Sequence, residues 1–273
     1  MAPSKIAFLG GGNMANALIG GLLAKGTTAG SISVIERLEA ARASLARQYR
    51  VHASAAADEA THGADVLLLA VKPQDLRAAL APLSAIARGK LVVSIAAGVR
   101  LADLSRWLGG HDRIVRSMPN TPALIGAGIA ALYAPPGVGA GDREHAEAIL
   151  RAVGETVWVD AEALLDPVTA VSGSGPAYVF WFIEQLAQSG VALGLAEETA
   201  RKLALQTVLG AARLAAQSGE SPSVLRERVT SKGGTTEAAL RVFDEEHLAE
   251  RMRRALEAAS RRGAELGEQL GRD

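Results

Sequence analysis

The chain has 273 residues, 29 basic side chains against 29 acidic ones, no cysteine, and 49% apolar residues. That is length for about two domains, enough apolar surface for buried cores rather than disorder, and no net field to draw in nucleic acid or an anionic membrane. Without cysteine there is no disulfide, thiolate nucleophile or cysteine-based zinc site, which agrees with a reducing, cytoplasmic setting.

Taken in chain order, Lys5 and the mostly apolar run through Leu23 imitate a signal peptide, but Gly10-Gly11-Gly12-Asn13 interrupts the run where a signal core stays apolar. The pattern predicts instead a short buried strand, a glycine turn and a helix over 13–24. Further apolar runs predict strands at 32–35, 66–71, 91–95, 113–116, 128–133 and 156–159. Runs without polar alternation are what a parallel sheet covered on both faces requires, and their alternation with helical patterns predicts a doubly wound α/β domain over residues 1–163.

After Leu164 the strand signals stop. Helical patterns cover 176–189, 196–217, 222–228, 236–243 and 245–270, punctuated by Gly190, Gly194, Gly219 and the Gly233-Gly234 pair as helix stops. Residues 164–273 therefore read as an all-α domain. Its densest apolar stretch, Tyr178 to Ile183, ends at Glu184 and Gln185, short of the roughly 18 residues that a membrane span needs.

Gly10-x-Gly12-x-x-Ala15 follows the first strand and opens the first helix. The first glycine permits the tight turn, the second lets the backbone approach a pyrophosphate, and the small third residue allows close helix–strand packing. Free N–H groups and the positive end of the helix dipole then face the phosphates. In this context the first domain reads as a Rossmann-type dinucleotide-binding sheet. At the end of the second strand, Glu36 and Arg37 imply opposite cofactors. A carboxylate there grips the 2′-hydroxyl of NADH, whereas a guanidinium pairs with the 2′-phosphate of NADPH. The reading takes NADPH with Arg37, and keeps NADH open.

Three loops fall at the carboxyl ends of strands, where ligands of such sheets sit. These are Ala70-Val71-Lys72-Pro73, Ser94-Ile95-Ala96-Ala97-Gly98 and Met118-Pro119-Asn120-Thr121-Pro122. Lys72 is placed to meet a cofactor phosphate or ribose, and Ala96 and Ala97 are small enough for a flat ring to approach. In the helical part, Ser231-Lys232-Gly233-Gly234-Thr235-Thr236 precedes a helical pattern. Two glycines and the hydroxyl residues there make either an amide nest for a carboxylate or a plain threonine-capped helix start. Ser172-Gly173-Ser174-Gly175-Pro176 forms a second small-residue hinge.

The five histidines, His52, His62, His111, His145 and His247, lie outside all these motifs, and no metal-ligand spacing or nucleophile elbow appears. An obvious general acid for carbonyl reduction is therefore missing. Hydride transfer to a protonated C=N bond has no such need, because the iminium is already electrophilic and carries its own proton.

Together, Gly10-Gly11-Gly12-Asn13-Met14, Ala70-Val71-Lys72-Pro73-Gln74, Met118-Pro119-Asn120-Thr121-Pro122, Val171-Ser172-Gly173-Ser174-Gly175-Pro176-Ala177-Tyr178 and Ser231-Lys232-Gly233-Gly234-Thr235-Thr236 resemble the successive signatures of the pyrroline-5-carboxylate reductase family. The resemblance implies NAD(P)H-dependent reduction of 1-pyrroline-5-carboxylate to L-proline, with a Rossmann domain followed by an all-α dimerisation domain and a homodimer or larger homo-oligomer. It places the cofactor on Phe8, Leu9, Gly10, Gly11, Gly12, Asn13, Met14, Arg37, Ala70, Val71, Lys72, Pro73, Ile95, Ala96 and Ala97. The substrate falls on Ser231 and on backbone amides at Gly234, Thr235 and Thr236, and the catalytic Thr236 hydroxyl meets the ring nitrogen. Lys232 stands where this motif commonly has proline, and Glu36 ahead of Arg37 leaves cofactor preference open. A β-hydroxyacid dehydrogenase shares the two-domain plan, but its lysine is missing from the helix after Pro176. A non-catalytic NADP sensor is the remaining alternative.

Overall fold

The structure, a computed structural model, describes residues 4–272. The described residues form one eight-stranded sheet in the order β3-β2-β1-β4-β5-β6-β7-β8. The strands are β1 (Ile6–Leu9), β2 (Ile32–Ile35), β3 (His52–Ser54), β4 (Val66–Leu69), β5 (Leu91–Ser94), β6 (Ile114–Met118), β7 (Gly128–Tyr133) and β8 (Gly154–Trp158). Helices α1 (Asn13–Ala24), α2 (Glu39–Tyr49), α3 (Glu59–His62), α4 (Pro73–Leu80), α5 (Leu101–Trp107) and α6 (Ala140–Arg151) fall between strands, and α7 (Leu165–Val168) follows the last.

The first six strands run parallel, with Ile6 of β1 opposite both Ile32 of β2 and Val66 of β4. The strand period of two splits their side chains between two cores. Phe8, Val34, Leu68, Val93 and Val115 pack on one face against Leu18 and Leu150. Ala7, Leu9, Leu67, Leu69 and Val92 pack on the other against Leu76 and Leu104. Each large side chain so buried stabilises the sheet by about 1.5–3 kcal/mol.

Two features depart from the pattern expected of the sequence. Strand β7 runs antiparallel to β6, pairing Tyr133 with Arg116. The connection from Met118 to Gly128 holds only a short 3₁₀ turn, Thr121–Ile125, and a parallel crossover needs a dozen residues or more. Strand β3 has no apolar run to announce it and is added by pairing with β2 alone.

By packing, the chain divides into two compact units. One runs to Ser174 and takes back the chain from Ala258; the other is Gly175–Glu257. The second unit contains α8 (Gly175–Ala192), α9 (Glu197–Gln217), α10 (Pro222–Arg228), α11 (Thr235–Glu245) and the first part of α12 (Leu248–Arg272). Gly190 does not stop α8 as expected. It lies inside the helix, where an added Cβ would come within 3.2 Å of the Ala200 Cβ, so it serves the close approach of α8 and α9. The positive-φ residue that follows the helix is Gly194, at φ +99°.

The end of α12 returns to the first unit along a stripe of glycines spaced one helical turn apart. A Cβ at Gly267 would stand 2.7 Å from the Gly98 carbonyl oxygen, and one at Gly271 2.6 Å from the Asp103 carboxylate. Among the described residues, no helix is long and apolar enough to cross a membrane.

Candidate active site

The glycine turn is built as a cradle. Gly10 sits at φ +100°, and a Cβ there would meet the Ala70 carbonyl oxygen at 2.9 Å and the Val71 side chain at 2.8 Å. That backbone conformation and that spacing admit only glycine. Gly12 has open space on its Cβ side. It caps α1 with no side-chain hydrogen bond, and Asn16 is the first residue of the helix whose N–H finds a protein acceptor, the Gly12 carbonyl at 2.9 Å. The N–H groups of Asn13, Met14 and Ala15 thus have no acceptor among the described residues, which leaves them for a phosphate. The Asn16 carboxamide donates to the carbonyls of Gly11 and Gly12 and clamps the turn, a role sequence reasoning missed.

Above this turn lies a cleft of roughly 500 Å³. Its walls bring together Leu9 to Gly12, Glu36 and Arg37, the alanines 55–57, and Ala70 to Lys72. Phe8 is different: its side chain is fully buried in the core, so only its backbone belongs to this edge. Met14 and Ile95 also pack partly on that core.

The structure separates Glu36 from Arg37. One Glu36 carboxylate oxygen accepts the Gly11 N–H at 2.9 Å, and the other accepts the Leu38 N–H at 2.8 Å. Glu36 is therefore a brace between the glycine turn and the end of β2. The exposed Arg37 guanidinium has no protein partner among the described residues, while its backbone carbonyl is held by Arg42 at 2.7 Å. A free cation on a fixed backbone fits an extra phosphate, and so the residues present fit a 2′-phosphorylated dinucleotide.

At the ends of β5 and β6, Ile95 N–H donates to Leu69 and Ala96 N–H to the Ser94 hydroxyl. Gly98, at φ +80°, is backed by Gly267. Buried Arg116 donates to Glu162 at 2.6 Å, and Arg100 to Asp166 at 2.6 Å. Burial lowers the Arg116 pKa against the opposing pull of Glu162. This paired network stiffens the strand ends.

In the second unit, α11 starts at Thr235 with Gly234 as its N-cap, rather than with a threonine cap. The Gly234 N–H is already given to the Ser231 carbonyl at 3.0 Å, and a Cβ there would meet the Ser231 hydroxyl at 2.6 Å. Gly233, at φ +73°, gives its N–H to the Glu237 carboxylate at 2.6 Å. The N–H groups of Thr235, Thr236 and Glu237 have no acceptor among the described residues. The motif is thus a helix start whose shape Gly234 forms and at which the N–H groups of the two threonines are left without a protein acceptor among the described residues.

A doubly wound sheet with an open glycine cradle, followed by a helical unit with an amide nest, defines an NAD(P)-dependent oxidoreductase. Residues 162–266 match the family described as pyrroline-5-carboxylate reductase dimerisation, and residues 5–98 the one described as NADP oxidoreductase, coenzyme F420-dependent. Pyrroline-5-carboxylate reductase of Pseudomonas aeruginosa is 48% identical over 99% of this chain and 100% of its own. That of Haemophilus influenzae is 44% identical over 96% and 97%. Among solved structures, the reductase of Coxiella burnetii superposes with a TM-score of 0.92 at 41% identity, covering 97% of this chain and 98% of that one. The Plasmodium falciparum pyrroline carboxylate reductase with NADP bound superposes at 0.85 and 28% identity, covering 98% and 99%. The chain belongs to the pyrroline-5-carboxylate reductase family. Its activity is the reduction of 1-pyrroline-5-carboxylate to proline.

Proposed function

We propose that this chain carries out that reduction with NADPH as the donor, held in the cleft above Gly10–Gly12, and with the substrate carboxylate bound by the free N–H groups of Thr235 and Thr236. The observation that carries the cofactor assignment is the pairing of an open glycine cradle with a committed Glu36 and an unpartnered Arg37. The pyrophosphate takes the N–H groups of Asn13 and Met14, Arg37 and Lys72 face the phosphates, and the loops Ala70–Pro73 and Ile95–Ala97 flank the nicotinamide. When bound, NADPH supplies the hydride that the imine carbon accepts.

The protein's own part is orientation. The carboxylate anchor fixes the ring, and the Thr236 hydroxyl hydrogen-bonds its nitrogen. No general acid is required, because the iminium nitrogen already carries the proton that the amine product keeps. The second unit exposes Phe180 and Trp181, 65% and 59% accessible in the single chain, and we assign this apolar surface to pairing with a second copy.

Thr236→Ala tests the substrate half. Loss of a hydrogen bond to a charged group costs about 1.5–3 kcal/mol, so hydride transfer slows by about tenfold to a hundredfold. NADPH affinity, read by fluorescence titration, stays unchanged; an equal loss of cofactor affinity would place Thr236 elsewhere.

A further inference from the structure

Two motifs of the sequence, Met118-Pro119-Asn120-Thr121-Pro122 and Ser172-Gly173-Ser174-Gly175-Pro176, have no part in the site above, and the structure joins them. Asn120 is buried, at 9% accessibility, just beyond the carboxyl end of β6. It is the N-cap residue of the 3₁₀ turn Thr121–Ile125, a position where asparagine ordinarily turns its side chain onto the local backbone. Here it makes no such bond. Its Nδ2–H donates instead to the Ser172 carbonyl at 3.2 Å, and its Oδ1 accepts the N–H of Ile129 in β7 at 2.9 Å.

The Ser172 carbonyl needs that donor for a reason written in the sequence. The residue four positions on is Pro176, which has no N–H to return along the helix. Around it, residues Thr169–Gly173 form a π-helical turn closed by Ser174 N–H on the Thr169 carbonyl at 2.8 Å. Such turns are rare and concentrate at functional sites. Beside it, the Met118 Cε fills the space where a Cβ on Gly173 would stand, at 2.5 Å.

The placement ties this contact to the reaction. Ser94 of β5 is in register with Arg116 of β6, so Ser117 and Met118, still paired with β7, run on beside the loop Ile95–Ala97, and Asn120 follows just past the strand end. The Ser172 turn, in turn, is the last of the first unit before α8 begins at Gly175.

We propose that Asn120 is a positioning residue for hydride transfer. Its carboxamide ties the end of β6 to the start of β7 and to the π-helical turn through which the chain leaves the dinucleotide unit. It thereby holds rigid the strand end next to the nicotinamide-side loop. The inference rests on the cofactor reading proposed above.

The test uses the full-length protein with Asn120→Ala and Asn120→Asp. The aspartate keeps the acceptor for Ile129 N–H but sets an oxygen against the Ser172 carbonyl, isolating the donating arm. Leu150→Ala, a cavity in the core under α6, serves as an equally destabilised control. Steady-state kcat and KM, the primary isotope effect with deuterated NADPH, thermal melting, and calorimetric binding of adenosine 2′,5′-bisphosphate are measured on each.

We expect kcat to fall about tenfold to a hundredfold in both Asn120 variants, as displaced reacting geometry does, with a larger isotope effect. Bisphosphate affinity stays within about twofold, because its site is remote. The control melts earlier yet keeps its kcat at assay temperature. A wild-type kcat in Asn120→Asp, or an equal loss of kcat in Leu150→Ala, would overturn the positioning role. Failure of the wild type itself to bind the bisphosphate would instead sink the cofactor reading on which it rests.

Discussion

Replacing Arg37 with alanine tests its proposed role, since its guanidinium lines the cleft and has no protein partner among the described residues. The loop around it does not depend on its side chain: Arg42 holds the carbonyls of Glu36 and Arg37 at 2.8 and 2.7 Å, and Glu36 holds the Leu38 N–H. The substitution therefore removes a charge and leaves the backbone in place. A unit pair at 4 Å is worth about 1 kcal/mol in bulk water and about 4 kcal/mol near a protein surface, and a charge-assisted hydrogen bond about 1.5–3 kcal/mol. A central value of about 2 kcal/mol corresponds to roughly a thirtyfold loss of affinity. Calorimetry with adenosine 2′,5′-bisphosphate and with 5′-AMP reads the effect directly, and steady-state kinetics with NADPH and NADH follow it into turnover. The bisphosphate and NADPH weaken by that factor, and the difference shrinks as salt rises. The ligands lacking the 2′-phosphate change by less than about twofold. An equal loss with both cofactors, or with neither, would refute the assignment.

Further predictions follow from neighbouring contacts. Glu36→Gln exchanges one acceptor for a donor that faces a backbone N–H, so the glycine turn loosens and NADPH and NADH weaken together; a loss confined to NADH would show that Glu36 reads the 2′-hydroxyl instead. Asp142 takes a forked pair of hydrogen bonds from Arg113 at 2.7 and 2.8 Å, which holds its carboxyl below the ordinary carboxylate range. The stabilisation is present above the unfolded value near about pH 3.9 and is lost as pH falls from there through the lower folded value. Acid titration of the melting temperature should thus be steeper for the wild type than for Asp142→Asn, by about 1 kcal/mol for a pair half open to solvent; parallel curves would remove the pair from the account. Trp181→Glu places a charge on the apolar surface of α8, so light scattering at micromolar concentration should show a smaller assembly than the wild type, and a monomeric wild type would refute the pairing.

Much of this protein is legible in its sequence, because parts of it are fixed by contacts between near neighbours in the chain. A strand, a glycine turn and a helix start within ten residues of one another, so the cradle at Gly10–Gly12 and the helix over Asn13–Ala24 could be read from spacing alone. The parallel strands announce themselves by being apolar on both faces, and the helix start before α11 by its glycines and threonines, which leave an amide nest and a plain cap as alternatives. Other features depend on partners far away in sequence. The direction of β7 follows from a connection too short for a crossover, and β3 exists only because β2 offers it an edge. Glu36 reads from sequence as a candidate for the ribose, and only the fold gives its two oxygens to Gly11 and Leu38. No local pattern marks the glycines at 267 and 271 as packing positions, and only the fold sets Gly98 and Asp103 against them. Asn120 and Ser172 lie 52 residues apart, and no local pattern links a carboxamide after one strand to a carbonyl left without a donor by a proline before a helix. Local backbone geometry belongs to the sequence by itself; which polar group satisfies which, across the sheet and its returning helix, is decided by tertiary packing, where a buried donor or acceptor left unpaired is too costly to persist.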